Sequence, residues 1–106
     1  MRLSRLVLTA VASGHEMRFN VDTEVGRTGL QKAAGEEAKF ASQPQFKVFR
    51  ASGKPGWLIS HCATATNPTF LNGKAVGAEA QLLRDSDTVS IGPKRLVLKV
   101  RTEKSI

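Results

Sequence analysis

The chain is poor in most of what catalysis and metal binding need. Its 106 residues include one cysteine, Cys62, and two histidines, His15 and His61. A single cysteine closes no internal disulfide, so a reducing compartment, the cytoplasm, is the expectation. Cys62 and His61 are neighbours, and on a strand neighbours point to opposite faces. They therefore form neither a nucleophile–base pair nor two ligands of one metal. No Gly-x-Ser-x-Gly, Gly-x-x-x-x-Gly-Lys or His-x-x-x-His spacing occurs. Glu36-Glu37 is a solvated pair whose members do not face each other. These absences argue against an enzyme, a metal centre and a cofactor. No apolar run is long enough to cross a membrane as a helix. The short apolar run near the N-terminus alternates as a strand does, and it reads as one rather than as a signal peptide. Aromatics are few, with five Phe, one Trp and no Tyr. The interleaved basic and aromatic pattern of a single-strand nucleic-acid binder is missing.

What the chain does have is charge of one sign. The net charge is +7, which favours anionic partners. The densest basic cluster is Lys94, Arg95, Lys99, Arg101 and Lys104. Nucleic-acid binding through that cluster is the least favoured reading, and it requires steep salt dependence. The hydrophobic share of 41% argues against disorder, and the length fits one domain over residues 1–106. Its core spans about 3–100, with 101–106 as a frayed tail.

Most of the chain reads as short strands between turn residues. Residues 3–12 form a long first strand closed by Ser13-Gly14. Residues 15–21 alternate, with Met17, Phe19 and Val21 on one face. Residues 24–27 form a third strand that ends at Gly26-Arg27. The pattern breaks over 28–42, where 30–39 have helix-forming composition and predict a short helical turn in a long loop. Strands resume at 45–51 and at 57–61, the second carrying a half-buried Trp57. Residues 88–91 and 95–100 alternate again, with Val89, Ile91, Leu96, Leu98 and Val100 inward. This spacing predicts an all-β, antiparallel β-sandwich, whose end loops converge although they are distant in sequence.

The most informative stretch is 64–74. Asn67-Pro68 reads as a turn, Thr69, Phe70 and Leu71 as a very short strand, and Asn72-Gly73 as a type I′ hairpin, which needs φ > 0 at both central positions. Thr66, Asn67 and Thr69 offer polar groups in the loop thus held.

Four pieces then occur in order: Gly26-Arg27, Ser42-Gln43-Pro44-Gln45, Thr66-Asn67-Pro68-Thr69-Phe70-Leu71-Asn72-Gly73, and Asp85-Ser86-Asp87 leading to Val89, Ile91 and Gly92. Together they resemble the forkhead-associated (FHA) domain over about residues 3–100. That family shows Gly-Arg, Ser-Arg-x-His, Asn-Gly-Thr-x-x-Asn-Gly and Gly-Asp-x-Ile-x-Ile-Gly in the same order. The resemblance implies a β-sandwich of about 11 strands, of the FHA/SMAD-like kind, whose loops at one end bind a phosphothreonine peptide. By position it implies Arg27 on the phosphate or the peptide backbone, Ser42 donating its hydroxyl to the phosphate, Thr66 lining the pocket and Asn67 on the peptide main chain. Gln43 stands where the family commonly has a phosphate-holding arginine, and an amide donates a weaker hydrogen bond than a guanidinium. Gln45 replaces a structural histidine, and Asn72, with Gly73, matches a structural asparagine. Pro68 removes a backbone donor.

The function expected is therefore non-catalytic recruitment of a Ser/Thr-phosphorylated partner. The alternative is an FHA-like protein–protein or oligomerisation domain without phosphate recognition, in which Arg27, Ser42, Thr66 and Asn67 serve only the surface and the loops.

Overall fold

The computed structural model describes residues 3–52, 56–92 and 96–105, and the side chains of 4–52, 56–92 and 96–103. Of the basic cluster, Lys94, Arg95 and the side chain of Lys104 fall outside that set.

Ten strands form two antiparallel sheets among the described residues. The strands are β1 Leu3–Ala10, β2 Glu16–Phe19, β3 Thr23–Val25, β4 Phe46–Arg50, β5 Trp57–His61, β6 Thr69–Leu71, β7 Lys74–Ala75, β8 Gln81–Leu83, β9 Thr88–Ile91 and β10 Leu96–Ser105. The larger sheet has the order β2-β1-β10-β9-β6-β7 and the smaller one β3-β4-β5-β8. This is the expected sandwich, with ten strands described where about 11 were expected.

Period-two alternation builds the core between the sheets. Leu6, Leu8 and Ala10 of β1, Phe46 and Val48 of β4, Trp57 and Ile59 of β5, and Leu96, Leu98 and Val100 of β10 all point inward and are buried. Trp57 is fully buried rather than half-buried, because β8 flanks it through the Trp57–Leu83 pair and the Arg50 guanidinium covers its ring at 4.6 Å. Val21 is 68% exposed rather than inward, because β2 ends at Phe19 and the chain turns before Val21 can join the sheet.

Two regions differ more from the expectation. The tail expected at 101–106 is strand. β10 continues to Ser105 and pairs with all of β1, from Ala10–Leu98 to Leu3–Ser105. Its charged residues looked like a solvated end, yet they find partners on β1 and β2. Glu16 accepts from Arg18 and Arg101, and Glu103 accepts from Arg101 and lies 3.5 Å from Arg18 Nε. Val7 sits opposite both Arg18 and Arg101 on this outer face and is fully buried there. The aliphatic stems of the lattice cover it.

The second region is 27–40. Arg27 does not end a strand; it starts helix α1, Arg27–Ala34, which runs into a 3-10 segment, Gly35–Phe40. Leu30 and Ala33, three apart, face the core. The helix stops at Gly35, whose φ of 61° is left-handed. Ser13 Oγ of the β1–β2 turn donates to Ala33 O at 2.6 Å, satisfying one carbonyl of the last helical turn.

Candidate functional site

The loop 62–68, the segment 41–45 and the start of α1 meet at one end of the sandwich. Gln45 holds them together. It is fully buried, and an unpaired amide there costs about 1–3 kcal/mol per group. Every group of this side chain is satisfied instead. Its Oε1 accepts from Ser42 N at 2.8 Å, and its Nε2 donates to Asn67 O at 2.7 Å and to Thr69 Oγ1 at 3.0 Å. Thr69 Oγ1 also shares a hydrogen bond of 2.9 Å with His61 Nδ1. These bonds join the segment at Ser42 to the loop at Asn67 and to β6. Thr69 and His61 belong to the same buried chain, and sequence reasoning did not place them there. Their partners lie 24 and 8 residues away, beyond any local pattern.

Around this support stand the expected binding residues. Arg27 N donates to Ser42 O at 3.0 Å, and Arg27 Nε donates to Ala41 O at 2.8 Å. One guanidinium edge is fixed, and the two terminal nitrogens have no partner among the described residues. Ser42 Oγ accepts from Thr66 N at 2.9 Å, which orients the hydroxyl and leaves its hydrogen to donate outward. Thr66 is exposed. Asn67 is half-buried, and its Nδ2 donates to Phe40 O at 2.7 Å. That bond locks the loop to the 3-10 segment and leaves Oδ1 as the group of Asn67 able to meet a ligand donor.

Gln43 plays a part its sequence did not announce. Helix α1 has Gly26 at its N-cap with no side-chain capping bond. Gln43 Oε1 supplies one from outside, accepting from Thr28 N at 3.0 Å. The amide lies so close to Gly26 that a Cβ there would collide with it. A larger residue ahead of Arg27 would push this side-chain amide aside and cost its bond to Thr28 N. The Gln43 Nε2 remains as a donor beside the site. The Gln43–Pro44 peptide is cis.

Asn72 and Gly73 form the expected tight turn, with φ of 52° and 84°. Asn72 Oδ1 accepts from Thr88 N at 2.9 Å, and its Nδ2 donates to Asp87 Oδ1 at 3.0 Å. These bonds link the Asn72-Gly73 turn to the turn at Asp87. Those turns lie at the other end of β6, however, so they set the position of the strand and not the loop at Thr66. The loop is fixed by Gln45 below it and by Gly92 N, which donates to Pro68 O at 3.0 Å. Pro68 thus keeps its carbonyl in the scaffold.

The remaining chemistry is quiet. Burial pushes the Cys62 thiol up, Glu24 adds to that, and Lys47 opposes both; such a thiol is a poor nucleophile at neutral pH. Among the described residues no group of three His, Cys, Asp or Glu is placed to hold a metal ion, and no helix is long and apolar enough to cross a membrane. Of the C-terminal basic cluster, Arg101 is bound to Glu16 and Glu103, and Lys99 Nζ lies 3.4 Å from Ser86 O.

No protein-family model matches the sequence, and no curated protein does. Solved structures do match. The FHA domain of an Arabidopsis thaliana hypothetical protein superposes with a TM-score of 0.76 at 21% identity, over 98% of this chain and 90% of that one. The fold is that of an FHA domain. An FHA domain solved in a structural and functional analysis of phosphothreonine-dependent FHA interactions matches with a TM-score of 0.67 at 19% identity, over 92% of this chain and 95% of that one. Mycobacterium tuberculosis EmbR, solved with a low-affinity phosphopeptide, matches with a TM-score of 0.71 at 14% identity, over 96% of this chain but 25% of EmbR. In this fold Arg27, at the start of α1, and Ser42, Thr66 and Asn67, on the adjoining loops, lie at one end of the sandwich.

Proposed function

We propose that this FHA-fold chain is a non-catalytic module that binds phosphothreonine peptides and so recruits a partner phosphorylated by a Ser/Thr kinase. One observation carries the reading. Arg27 and Ser42 are joined through their main chains, and each is oriented by a further internal bond that leaves its outward donors open. A phosphothreonine carries about −1.5 to −2 charges and three strong acceptor oxygens, and it needs several donors held at fixed separation. Arg27 supplies charge, Ser42 and Thr66 supply hydroxyls, and Gln43 Nε2 supplies a neutral donor. Asn67 Oδ1 accepts from the peptide main chain. With Gln43 in place of a second cation, affinity falls in the micromolar range, near −8 kcal/mol by order of magnitude, roughly a micromolar Kd. A cytoplasmic location belongs to the same proposal.

An oriented phosphothreonine-peptide library screen tests it, with Arg27→Ala as the control. Selective retention of phosphorylated peptides, lost in the variant, is the expected result. Equal retention of phosphorylated and unphosphorylated peptides refutes the reading. It favours instead an interaction domain without phosphate recognition, in which the Asn67 amide serves only Phe40.

A further inference from the structure

The two sheets do not close on each other along one side. β2 is an edge of the larger sheet and β3 an edge of the smaller, and between them lies an open groove of about 390 Å³. Met17, Phe19 and Val25 line it. Met17 and Phe19 pack on the core but stay partly exposed. Glu24 stands on one wall and Lys32 of α1 on the other. The groove reaches Gly26 and Gln43, the chain neighbours of Arg27 and Ser42, and its lining includes residues 16–19 of β2 and 23–25 of β3.

We infer that this groove is a second subsite for the same partner, taking an extended segment that flanks the phosphorylated residue and that carries a large apolar side chain. The inference rests on the phosphopeptide reading and adds a location and a chemistry to it. Continuity is the first argument: Gln43 touches the start of α1 on one side and the groove on the other, so a chain leaving the phosphate meets the groove next. The second is the lining, apolar at Met17, Phe19 and Val25, with two charges of each sign around it, Glu16 and Glu24 against Arg18 and Lys32, which suits an apolar side chain on a peptide of mixed charge. The third is the pair of strand edges. Among the described residues neither β2 nor β3 has a second strand beside it, so an extended peptide finds main-chain groups to pair with.

The test compares two probes by isothermal titration. One is a short phosphothreonine peptide flanked by alanines. The other is the same peptide lengthened on either side, with a single leucine walked along the extension. An unphosphorylated form of each is included. Burial of a leucine predicts binding about tenfold tighter at one leucine position. Gly29→Leu is the blocking variant. Gly29 lines the groove, a Cβ there meets nothing within 4 Å, and leucine favours helix over glycine, so the fold is retained. Met17→Lys, on the opposite strand, is the second. Both are expected to abolish the tenfold gain and to leave the short peptide unchanged. A gain that survives both variants, or no gain at any position while the short phosphopeptide binds, overturns the groove alone. Failure of phosphorylation to matter for the short peptide overturns the phosphopeptide reading, and the groove proposal with it.

Discussion

Arg27 and Arg101 stand on the same sandwich and are treated in opposite ways. At the loop end, Arg27 gives one N–H to Ala41 O and keeps its outer face open. On the outer face of β2, β1 and β10, Arg101 is saturated by Glu16 and Glu103, and its guanidinium is held still more firmly protonated by Glu103 first and Glu16 second. The supports differ as well. Arg27 rests on a buried network of neutral groups centred on Gln45, where each bond has fixed geometry and each orphaned group is expensive. Arg101 belongs to an exposed lattice of full charges, individually weak and screened by salt. Of these two cations, Arg27 is the one without a carboxylate partner among the described residues, and under the proposed function it is the one that meets the phosphate.

The buried side of that contrast breaks most severely. Gln45→Leu keeps the volume but strands Ser42 N and Asn67 O and leaves Thr69 Oγ1 with His61 alone. A loss of about 3 kcal/mol in denaturant unfolding is expected, together with loss of phosphopeptide binding. A folded, fully stable Gln45→Leu protein means that the network is not the support described. Arg27→Ala comes next. It leaves stability nearly unchanged and weakens phosphopeptide binding by about 2 kcal/mol, roughly thirtyfold, measured by titration calorimetry. Asn72→Ala removes two hydrogen bonds at the far end of β6 and puts alanine at a left-handed φ. It is expected to lower stability by about 1.5 kcal/mol with no change in affinity per folded molecule. An affinity loss there tells against the separation of the two ends.

The exposed lattice responds least. The hydrogen bond from Arg101 holds the Glu103 carboxyl below the ordinary range, and the positive charges of Arg101 and Arg18 reinforce it. A carboxyl lowered in the folded state stabilises above its unfolded-state pKa and loses that contribution as pH falls through the folded value. Glu103→Gln should therefore flatten the acid limb of a stability–pH curve slightly and leave binding at neutral pH untouched. An acid limb of unchanged slope, or one that salt fails to weaken, contradicts the role assigned to the lattice.

What could be read from the sequence followed the range of the interaction. The Asn72-Gly73 turn was legible because two adjacent residues determine it. The inward faces of β4, β9 and β10 were legible because alternation is local. The order of Arg27, Ser42, Thr66 and Asn67 was legible as a pattern, and the fold brings those loops to one end. The start of α1 was not, since its capping group comes from Gln43, fifteen residues on, and Gly26 and Gly29 weaken any helical signal before it. The strand through Arg101 and Glu103 was not, since alternating charges at a chain end look solvated until Glu16 and Arg18 are set beside them. The groove was invisible for the same reason: β2 and β3 become its walls only once each has become an edge.

The pairing of β1 with β10 has a mechanical meaning. Leu3 lies opposite Ser105, and the strands run antiparallel from there. Tension applied at these two residues pulls neighbours apart along the direction of their hydrogen bonds, which lie perpendicular to the strands. The load falls on one pair at a time, first Leu3–Ser105 and then Ser4–Lys104, and the seam opens as a zipper does instead of resisting in shear. The yielding begins at the end of the sandwich opposite Arg27 and Ser42, so a chain held by a bound partner and pulled at its strand ends gives way first where nothing is bound.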